Sequence, residues 1–337
     1  MPLNIMLKHI HVVPLAAESL GVRSMCTLVE TSDVKILLDA GVSLCPNRFG
    51  LPPHPLEFRS IISARRRIAE AADKADIVSI SHYHYDHVTP SFEDWLCNWT
   101  EREKTARRIY EKKVVLAKNP REQINSSQRE RGWLFQRTTG QHAERFETAD
   151  GKTFTFGNTA VRFSEPVFHG SENSGLGWVI MTTIQVEDES FLYASDVQGP
   201  MSSRTLEIIL REKPQLIMIG GPPLYLSGFK VGEEQIQNGL INLERIIKAV
   251  PRVILDHHLV RDENWLEKTT TLLSTAHESG HTIQTAAEFI QTQNTFLEAK
   301  RKKLFEEYPP PKDFEQWMRL REQQKTHSKP PIDCAPQ

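Results

Sequence analysis

The chain is poor in cysteine: Cys26, Cys45, Cys97 and Cys334 are scattered over 337 residues with no CxxC pair. That pattern excludes a disulfide-stapled scaffold and a thiolate metal cluster, and it fits incidental thiols in a reducing compartment. Excess charge is also missing. With 41 Lys+Arg against 43 Asp+Glu, the formal charge of −2 provides no overall basic field for coating nucleic acid. Long hydrophobic runs are absent, and stretches such as Leu216–Ile219 fall far short of the ~20 residues of a membrane span. Met1 to Val13 has no basic segment leading into a sustained apolar one. These absences lead us to expect a soluble, cytoplasmic chain with no membrane partner. The 39% hydrophobic content is enough for a real core, which excludes global disorder.

Short β-rich runs open the chain. Thr27–Thr31 and Lys35–Leu38 read as strands joined by Ser32-Asp33, the second ending in Asp39-Ala40-Gly41. After an irregular stretch at Asn47–Pro55, apolar Leu56, Ile61, Ile62, Ile68 and Ala72 predict a helix with Arg65–Arg67 on its solvated side. Asp76–Ser81 is a short buried strand, and Ser91 with Asp94 three positions on resembles a helix start. Val114–Ala117 reads as a strand and 124–135 as a helix. Gly157-Asn158 marks a hairpin between Thr153–Phe156 and Thr159–Phe163. Trp178–Val186 and Phe191–Ala194 form a second strand pair. Helices and strands then alternate through Arg204–Arg211, Gln215–Ile219, Glu233–Ala249, Arg252–Leu255 and Trp265–His277. This order implies an α/β sheet protein with mixed pairing. Phe296–Tyr308 reads as a charged helix stopped by Pro309-Pro310-Pro311, and Phe314, Trp317 and Met318 recur at helical spacing. The expected division is a main domain over 1–295, a C-terminal helical extension over 296–324 and a disordered tail over 325–337.

The chemistry is concentrated in Ser81-His82-Tyr83-His84-Tyr85-Asp86-His87. Residues two apart in extended chain point the same way, so His82 and His84 can reach one metal together. Where the chain turns past the strand, Asp86 and His87 can face a second metal close by. Imidazole with carboxylate suits zinc, with manganese or iron as alternatives. A polar cluster this dense after a buried strand is costly unless it is paired or metal-bound.

This stretch resembles the His-x-His-x-Asp-His signature of the metallo-β-lactamase superfamily, and Leu37-Leu38-Asp39-Ala40-Gly41 is similar to the early Asp-x-Gly turn of that superfamily. The resemblance spans roughly residues 1–295 and points to an uncharacterised branch. It implies a four-layer αββα sandwich with two divalent metal ions at one edge. It also implies His169, after Val167-Phe168, as the third histidine of the first site, and Asp196, after Ala194-Ser195, as a bridging ligand. The last histidine should end a late strand, where His257 and His258 both stand. The pattern Leu255-x-His257-x-x-x-Arg261 resembles the tRNA-maturing branch and favours His257. Since neighbours on a strand point to opposite faces, at most one of the two is expected to be a ligand. Asp39 and Asp256 are candidates for orienting the imidazoles.

The implied activity is hydrolysis by a metal-bridging hydroxide, with Asp86 and Asp196 as catalytic residues that position the nucleophile and pass on its proton. The substrate reading is a small-molecule or nucleic-acid phosphodiester or other anionic ester, with a lactonase or thioesterase as alternative. Residues 101–145 hold 12 Lys+Arg and 6 Asp+Glu, with Arg129 and Arg131 as candidate substrate contacts; Tyr225 is a third. A diiron oxidoreductase is disfavoured because that branch carries Glu where His84 stands. A non-catalytic binding protein is disfavoured by the complete ligand set. Only 61 positions separate Asp196 from His257, too few for the inserted domain of the capped nucleases.

Overall fold

The computed structural model describes residues 7–172 and 174–332. Two sheets face each other. The first runs β1 (His11–Pro14), β2 (Thr27–Glu30), β3 (Lys35–Leu38), β4 (Ile77–Ile80), β5 (Val114–Ala117) and β6 (Arg145–Thr148) in sequential order. Its first three strands are antiparallel and the rest parallel. The second sheet is built from β7 (Thr153–Phe156), β8 (Thr159–Phe163), β11 (Thr182–Val186), β12 (Glu189–Ser195), β13 (Leu216–Ile219), β14 (Arg252–Leu255) and β15 (Thr282–Gln284). In sequence between β8 and β11, which pair directly, comes a separate ribbon of β9 (Val167–Phe168) and β10 (Trp178–Val179).

Alternation along each strand builds three hydrophobic layers. Ile36, Leu38 and Ile77 point into the layer shared with Leu216 and Met218 of the other sheet. Their neighbours Leu37 and Val78 point outward, as Ile217 and Ile219 do on the far side. Strands buried on both faces therefore read as continuous apolar runs. On the first sheet lie α1 (Pro55–Ala72), α2 (Arg102–Tyr110) and α3 (Ser126–Arg137). The second is covered by α4 (Ser203–Glu212), α5 (Glu233–Ala249), α6 (Trp265–Lys268) and α7 (Thr270–Ser279). The short α8 (Ala286–Phe289) closes the β14–β15 edge. The result is the expected αββα sandwich.

A C-terminal group, α9 (Arg301–Glu307), α10 (Lys312–Met318) and α11 (Glu322–Thr326), packs on the α1 side. Phe314 and Trp317 sit edge-on to Phe58 at 6.1 and 5.5 Å, so the aromatic pair is core. No helix among the described residues is long and apolar enough to cross a membrane. Cys26, Cys45 and Cys97 are free thiols, and Cys334 lies outside the described residues.

Some local expectations differ from what folds. Of Arg65–Arg67 only Arg66 is exposed. Arg65 is buried and donates to Asn98 O (2.8 Å), Thr89 Oγ1 (2.6 Å) and Val42 O (3.1 Å), tying α1 to loops that helical periodicity does not see. No helix follows Ser91. Asp94 instead accepts from the amides of Leu96 and Cys97, both at 2.9 Å, and closes a turn. Helix α9 begins at Arg301, since residues 297–298 are drawn inward to bury Leu297 and Glu298. The expected disordered tail is also incomplete: Trp317 Nε1 donates to Ser328 O and Ile332 packs on the first helical layer. Residues 333–337 of that tail lie outside the described residues.

Candidate metal centre

The strand ends β3, β4, β12 and β14 open toward one edge of the sandwich, and each delivers a turn with an acidic or imidazole side chain. Asp39 follows β3 with φ 47°, and its amide donates to Ser79 O, locking the β3 turn onto β4. The Ser81–His87 loop leaves β4. It passes so close to Gly41 that a Cβ there would lie 2.3 Å from the Val88 amide nitrogen. Only glycine allows that approach. Asp196 follows β12, and His169 follows β9, where the Gln198 amide donates to His169 O at 2.8 Å.

These turns bring the expected ligand atoms together. His82, His84, His169 and Asp196 form one set whose donor atoms all lie within 4.8 Å of one another; Asp86, His87 and His257 form a second, and Asp196, His257 and His258 a third. Asp196 joins them. Its Oδ2 is 2.8 Å from His169 Nε2 and 3.7 Å from both His82 Nε2 and His87 Nε2. Its Oδ1 is 2.7 Å from His258 Nε2 and 3.6 Å from His257 Nε2. Asp86 Oδ2 is 3.6 Å from His257 Nε2.

Both neighbouring histidines therefore reach the cluster, so the opposite-face argument does not choose between them. His257 has φ 74°, so the backbone has left the strand and adjacent side chains no longer point to opposite faces. His257 contacts Asp86 and Asp196, whereas among those carboxylates His258 contacts Asp196 alone. Asp256 anchors this turn: Oδ1 accepts from the amides of His257 (2.7 Å) and Ser19 (3.2 Å), and Oδ2 accepts from the Ala286 amide (3.0 Å).

Asp39 orients the other side. Its Oδ1 accepts from the Ser81 amide at 2.7 Å. Around Oδ2 gather Ser81 Oγ (2.6 Å), Ser195 Oγ (2.7 Å), His87 Nδ1 (2.8 Å) and Tyr193 OH (3.0 Å). A carboxylate only accepts, so His87 Nδ1 carries hydrogen, and in the neutral ring Nε2 presents its lone pair inward. That nitrogen lies 3.4 Å from His257 Nε2. Likewise, with the Ser81 hydroxyl hydrogen on Asp39, His82 Nδ1 donates to Ser81 Oγ (2.9 Å) and its Nε2 faces His84 Nδ1 at 3.0 Å.

The donor set fits divalent cations. Asp196 Oδ1 and His169 Nδ1 are buried without a hydrogen bond of acceptable geometry, although His258 Nε2 stands 2.7 Å from the former. Close nitrogen–oxygen approaches without hydrogen bonds are how ligands of a shared cation are disposed, and they are otherwise costly. Burial holds His82 and His257 well below the ordinary imidazole range, and it pushes His84 to about 3 and His258 to about 4. Neutral imidazole is the form that binds metal. At His87 burial is outweighed by Asp86, Asp39 and Asp196, which raise it to about 9. Asp86 and Asp196 stay ionised despite burial, Asp86 held down chiefly by His87 and His257 and Asp196 by His169 and His258.

The substrate candidates divide. Arg131 and Tyr225 line a cleft of about 1040 Å³ in front of the cluster, together with His84, Asp86, Asp196 and His258. Arg129 is exposed, outside that lining, and its guanidinium reaches back to Arg121 O at 3.4 Å. Residues two apart on a helix lie about 200° apart around its axis, so α3 could present only one of the two arginines to the cleft. Much of the positive charge of 101–145 is neutralised, by Arg107–Glu111, Arg108–Asp73 and Lys118–Asp150 at 2.6–2.7 Å.

Two groups escaped the sequence reading. Gln198 Nε2 lies 3.3 Å from His169 Nε2 and 3.2 Å from His258 Nε2. Glu18 is buried and receives the guanidinium of Arg261, whose Nη2 lies 3.2 Å from His257 Nδ1 and 3.7 Å from Asp86 Oδ2. Burial raises Glu18 to about 8 even against the pull of Arg261. Neither residue belongs to a local motif, though Gln198 follows Asp196 by two positions.

No family model matches the chain. The UPF0282 protein of Methanopyrus kandleri is 43% identical over 293 residues, covering 87% of this chain and 98% of that one. The UPF0282 protein of Korarchaeum cryptofilum is 41% identical over 298 residues, covering 88% and 95%. The chain belongs to the UPF0282 family. Among solved structures, this UPF0282 chain resembles the metallo-β-lactamase fold protein YhfI of Bacillus subtilis with a TM-score of 0.50 at 13% identity, over 85% of this chain and 97% of that one. Unliganded yeast PDE1 superposes with a TM-score of 0.52 at 12% identity, over 83% and 98%. The family thus has the metallo-β-lactamase fold.

Proposed function

We propose that the chain is a metal-dependent hydrolase of phosphodiesters that holds two divalent cations. His82, His84 and His169 would hold one and Asp86, His87 and His257 the other, with Asp196 shared. The observation that carries this reading is the convergence of imidazole nitrogens and carboxylates around Asp196, whose Oδ1 is buried without a hydrogen bond of acceptable geometry although His258 Nε2 stands 2.7 Å away. An all-nitrogen-and-oxygen set suits zinc, with manganese or iron as alternatives.

Bound cations supply Lewis acidity, giving a nucleophile from water at neutral pH and neutralising charge that develops on the ester. The side chains do the rest. Asp39 fixes the His87 tautomer and Asp256 fixes the backbone turn that carries His257 and His258. Asp196 Oδ1, beside His258 Nε2, is placed to take a proton from the attacking water. Asp86 Oδ2 is held on the opposite side by His257 and Arg261. Tyr225 OH, His258 and Gln198 line the mouth as hydrogen-bonding groups for substrate oxygens.

The cleft cations support an anionic ester over a neutral lactone. Arg23 and Arg261 are paired to Glu298 and Glu18, whereas Arg131 and Lys230 have no carboxylate within ion-pair distance among the described residues. Metal analysis of purified protein should find close to two divalent ions per chain, and His84→Ala should lose at least one. A wild-type protein that binds none overturns the reading. Screening a bis-aryl phosphodiester, a lactone and a thioester with Zn²⁺, Mn²⁺ and Fe²⁺ should give turnover on the phosphodiester; turnover on only the other two replaces the substrate class.

A further inference from the structure

Two arginine–aromatic stacks stand at the cleft, one built on Tyr85 and one on Tyr225, both of which line it. On the first-sheet side Arg131 Cζ lies 4.6 Å from the centre of the Tyr85 ring, and Tyr85 meets Phe92 edge-on at 5.2 Å. All three line the cleft. In the second stack, Arg48 and Phe49 come from the loop after β3 and stand outside the cleft lining, with Arg48 Cζ 4.6 Å from the Tyr225 ring and 4.7 Å from the Phe49 ring. Tyr225 is stacked on His258 with only 12° between the ring planes. The rim continues in exposed aromatics: Phe49 is 56% and Phe229 81% accessible, the latter beside the cleft residue Lys230.

Resting on the phosphodiester reading above, we propose that these two stacks form a clamp for nucleobases and that the substrate is a phosphodiester with a base on each side. An arginine over an aromatic ring stays charged yet held in place, and such a surface accepts a planar base while its cation faces phosphate. Large aromatics left open beside a cleft mark a surface that is covered when ligand binds. The cluster lies between the stacks: Tyr85 sits between His84 and Asp86 in sequence, and Tyr225 OH is 3.4 Å from His258 Nδ1. A base on each stack thus brings the intervening phosphate to the ligand cluster. The cleft volume of about 1040 Å³ is at the upper end of small-ligand sites and suits a dinucleotide-sized guest. A dinucleotide and the interior of a single strand share this chemistry.

The test compares the metal-loaded protein on the dinucleotide ApA, a single strand of about 12 nucleotides and methyl p-nitrophenyl phosphate, which lacks bases. Wild type, Arg131→Ala, the pair Arg48→Ala/Phe49→Ala, and the remote surface variant Arg108→Ala are assayed. Stacking of ~1–3 kcal/mol per base corresponds to a loss of about 5- to 150-fold in kcat/KM on ApA for either clamp variant, with a much smaller loss on the base-free diester. Arg108→Ala should match wild type throughout. Equilibrium binding of ApA in excess chelator is the second readout, and Kd should rise by a comparable factor. Preference for ApA places the substrate among free dinucleotides, and preference for the strand places it in single-stranded nucleic acid; both uphold the clamp. Equal losses on base-bearing and base-free diesters overturn the clamp while leaving the hydrolase reading intact. If no phosphodiester is turned over, the hydrolase reading fails by itself; unchanged ApA binding in the variants then overturns the clamp as well.

Discussion

Replacing Asp39 by asparagine removes one charge and reverses half of a fully buried acceptor. Five donors converge on this carboxylate, one on Oδ1 and four around Oδ2, among them His87 Nδ1 at 2.8 Å. Asparagine keeps a single acceptor oxygen. With its amide toward His87, two N–H groups collide, and the imidazole must move its hydrogen to Nε2, the atom that faces His257. With the amide turned toward the Ser81 N–H, that backbone donor is left buried and unpaired. Either arrangement forfeits a hydrogen bond to a charged group, about 1.5–3 kcal/mol. Loss of a group that orients a ligand histidine lowers metal affinity by about 10- to 100-fold, which is about 1.4–2.7 kcal/mol at 1.36 kcal/mol per tenfold. Urea unfolding of the metal-free protein reads the first effect and competitive chelator titration the second. Asp39→Asn should bind its first cation nearly as wild type does and its second far more weakly, since His82, His84 and His169 do not depend on Asp39 for their orientation to the same degree. Retention of two cations with affinities within a factor of about 3 of wild type, in a variant of unchanged stability, would refute the orienting role.

Arg301→Met strips the bidentate partner from Glu57, buried at 2.7–2.8 Å from the guanidinium, and should cost about 3–5 kcal/mol in unfolding free energy. Adding Glu57→Leu should restore much of that loss, and a single-variant cost under about 1 kcal/mol contradicts the pairing. Gly41→Ala drives a methyl into the His87–Val88 backbone, so a loss of at least ~1–3 kcal/mol should accompany weakened metal binding; a stable variant with full metal content would show that the loop can shift. The Arg23 guanidinium, outweighing burial, holds Glu298 below the usual carboxylate range. Its contribution is present above the unfolded-state value and lost as pH falls through the folded one, so wild-type stability should drop more steeply in acid than that of Glu298→Gln, by about 1.4 kcal/mol per pH unit per proton. Parallel acid limbs of the two unfolding curves would remove Glu298 from that account.

Much of the sandwich was readable because its strands and helices are decided within short windows. Thr153–Phe156 and Thr159–Phe163 pair across Gly157-Asn158 as the turn chemistry requires, and Val114–Ala117 and Leu216–Ile219 are buried on both faces as their unbroken apolar character demands. Where reading failed, a remote segment had intervened. Arg65 looks like part of a wet helical face until the loops at Val42, Thr89 and Asn98 close over it. Ser91 and Asp94 carry a capping pattern, but Asp94 spends its acceptors on a turn.

The centre divides along the same line. A strand running into His82-Tyr83-His84-Tyr85-Asp86-His87 places four donors within one loop, so their nearness follows from chain connectivity. That His169, Asp196 and His257 join them depends on two sheets meeting at one edge, and residue spacing carries no information about the distance. Nor does it reveal that Ser81, 42 positions on, converges on Asp39 with Tyr193 and Ser195, more than a hundred positions further along. The paired histidines make the contrast sharpest. Strand geometry sends neighbours to opposite faces, yet a positive φ at His257, held by the hydrogen bonds of Asp256 to Ser19, His257 and Ala286, turns both toward Asp196. Local pattern thus specified which donors exist and in what order. Long-range packing specified which of them lie together, because a backbone dihedral and a buried charge are settled by the segments that surround them.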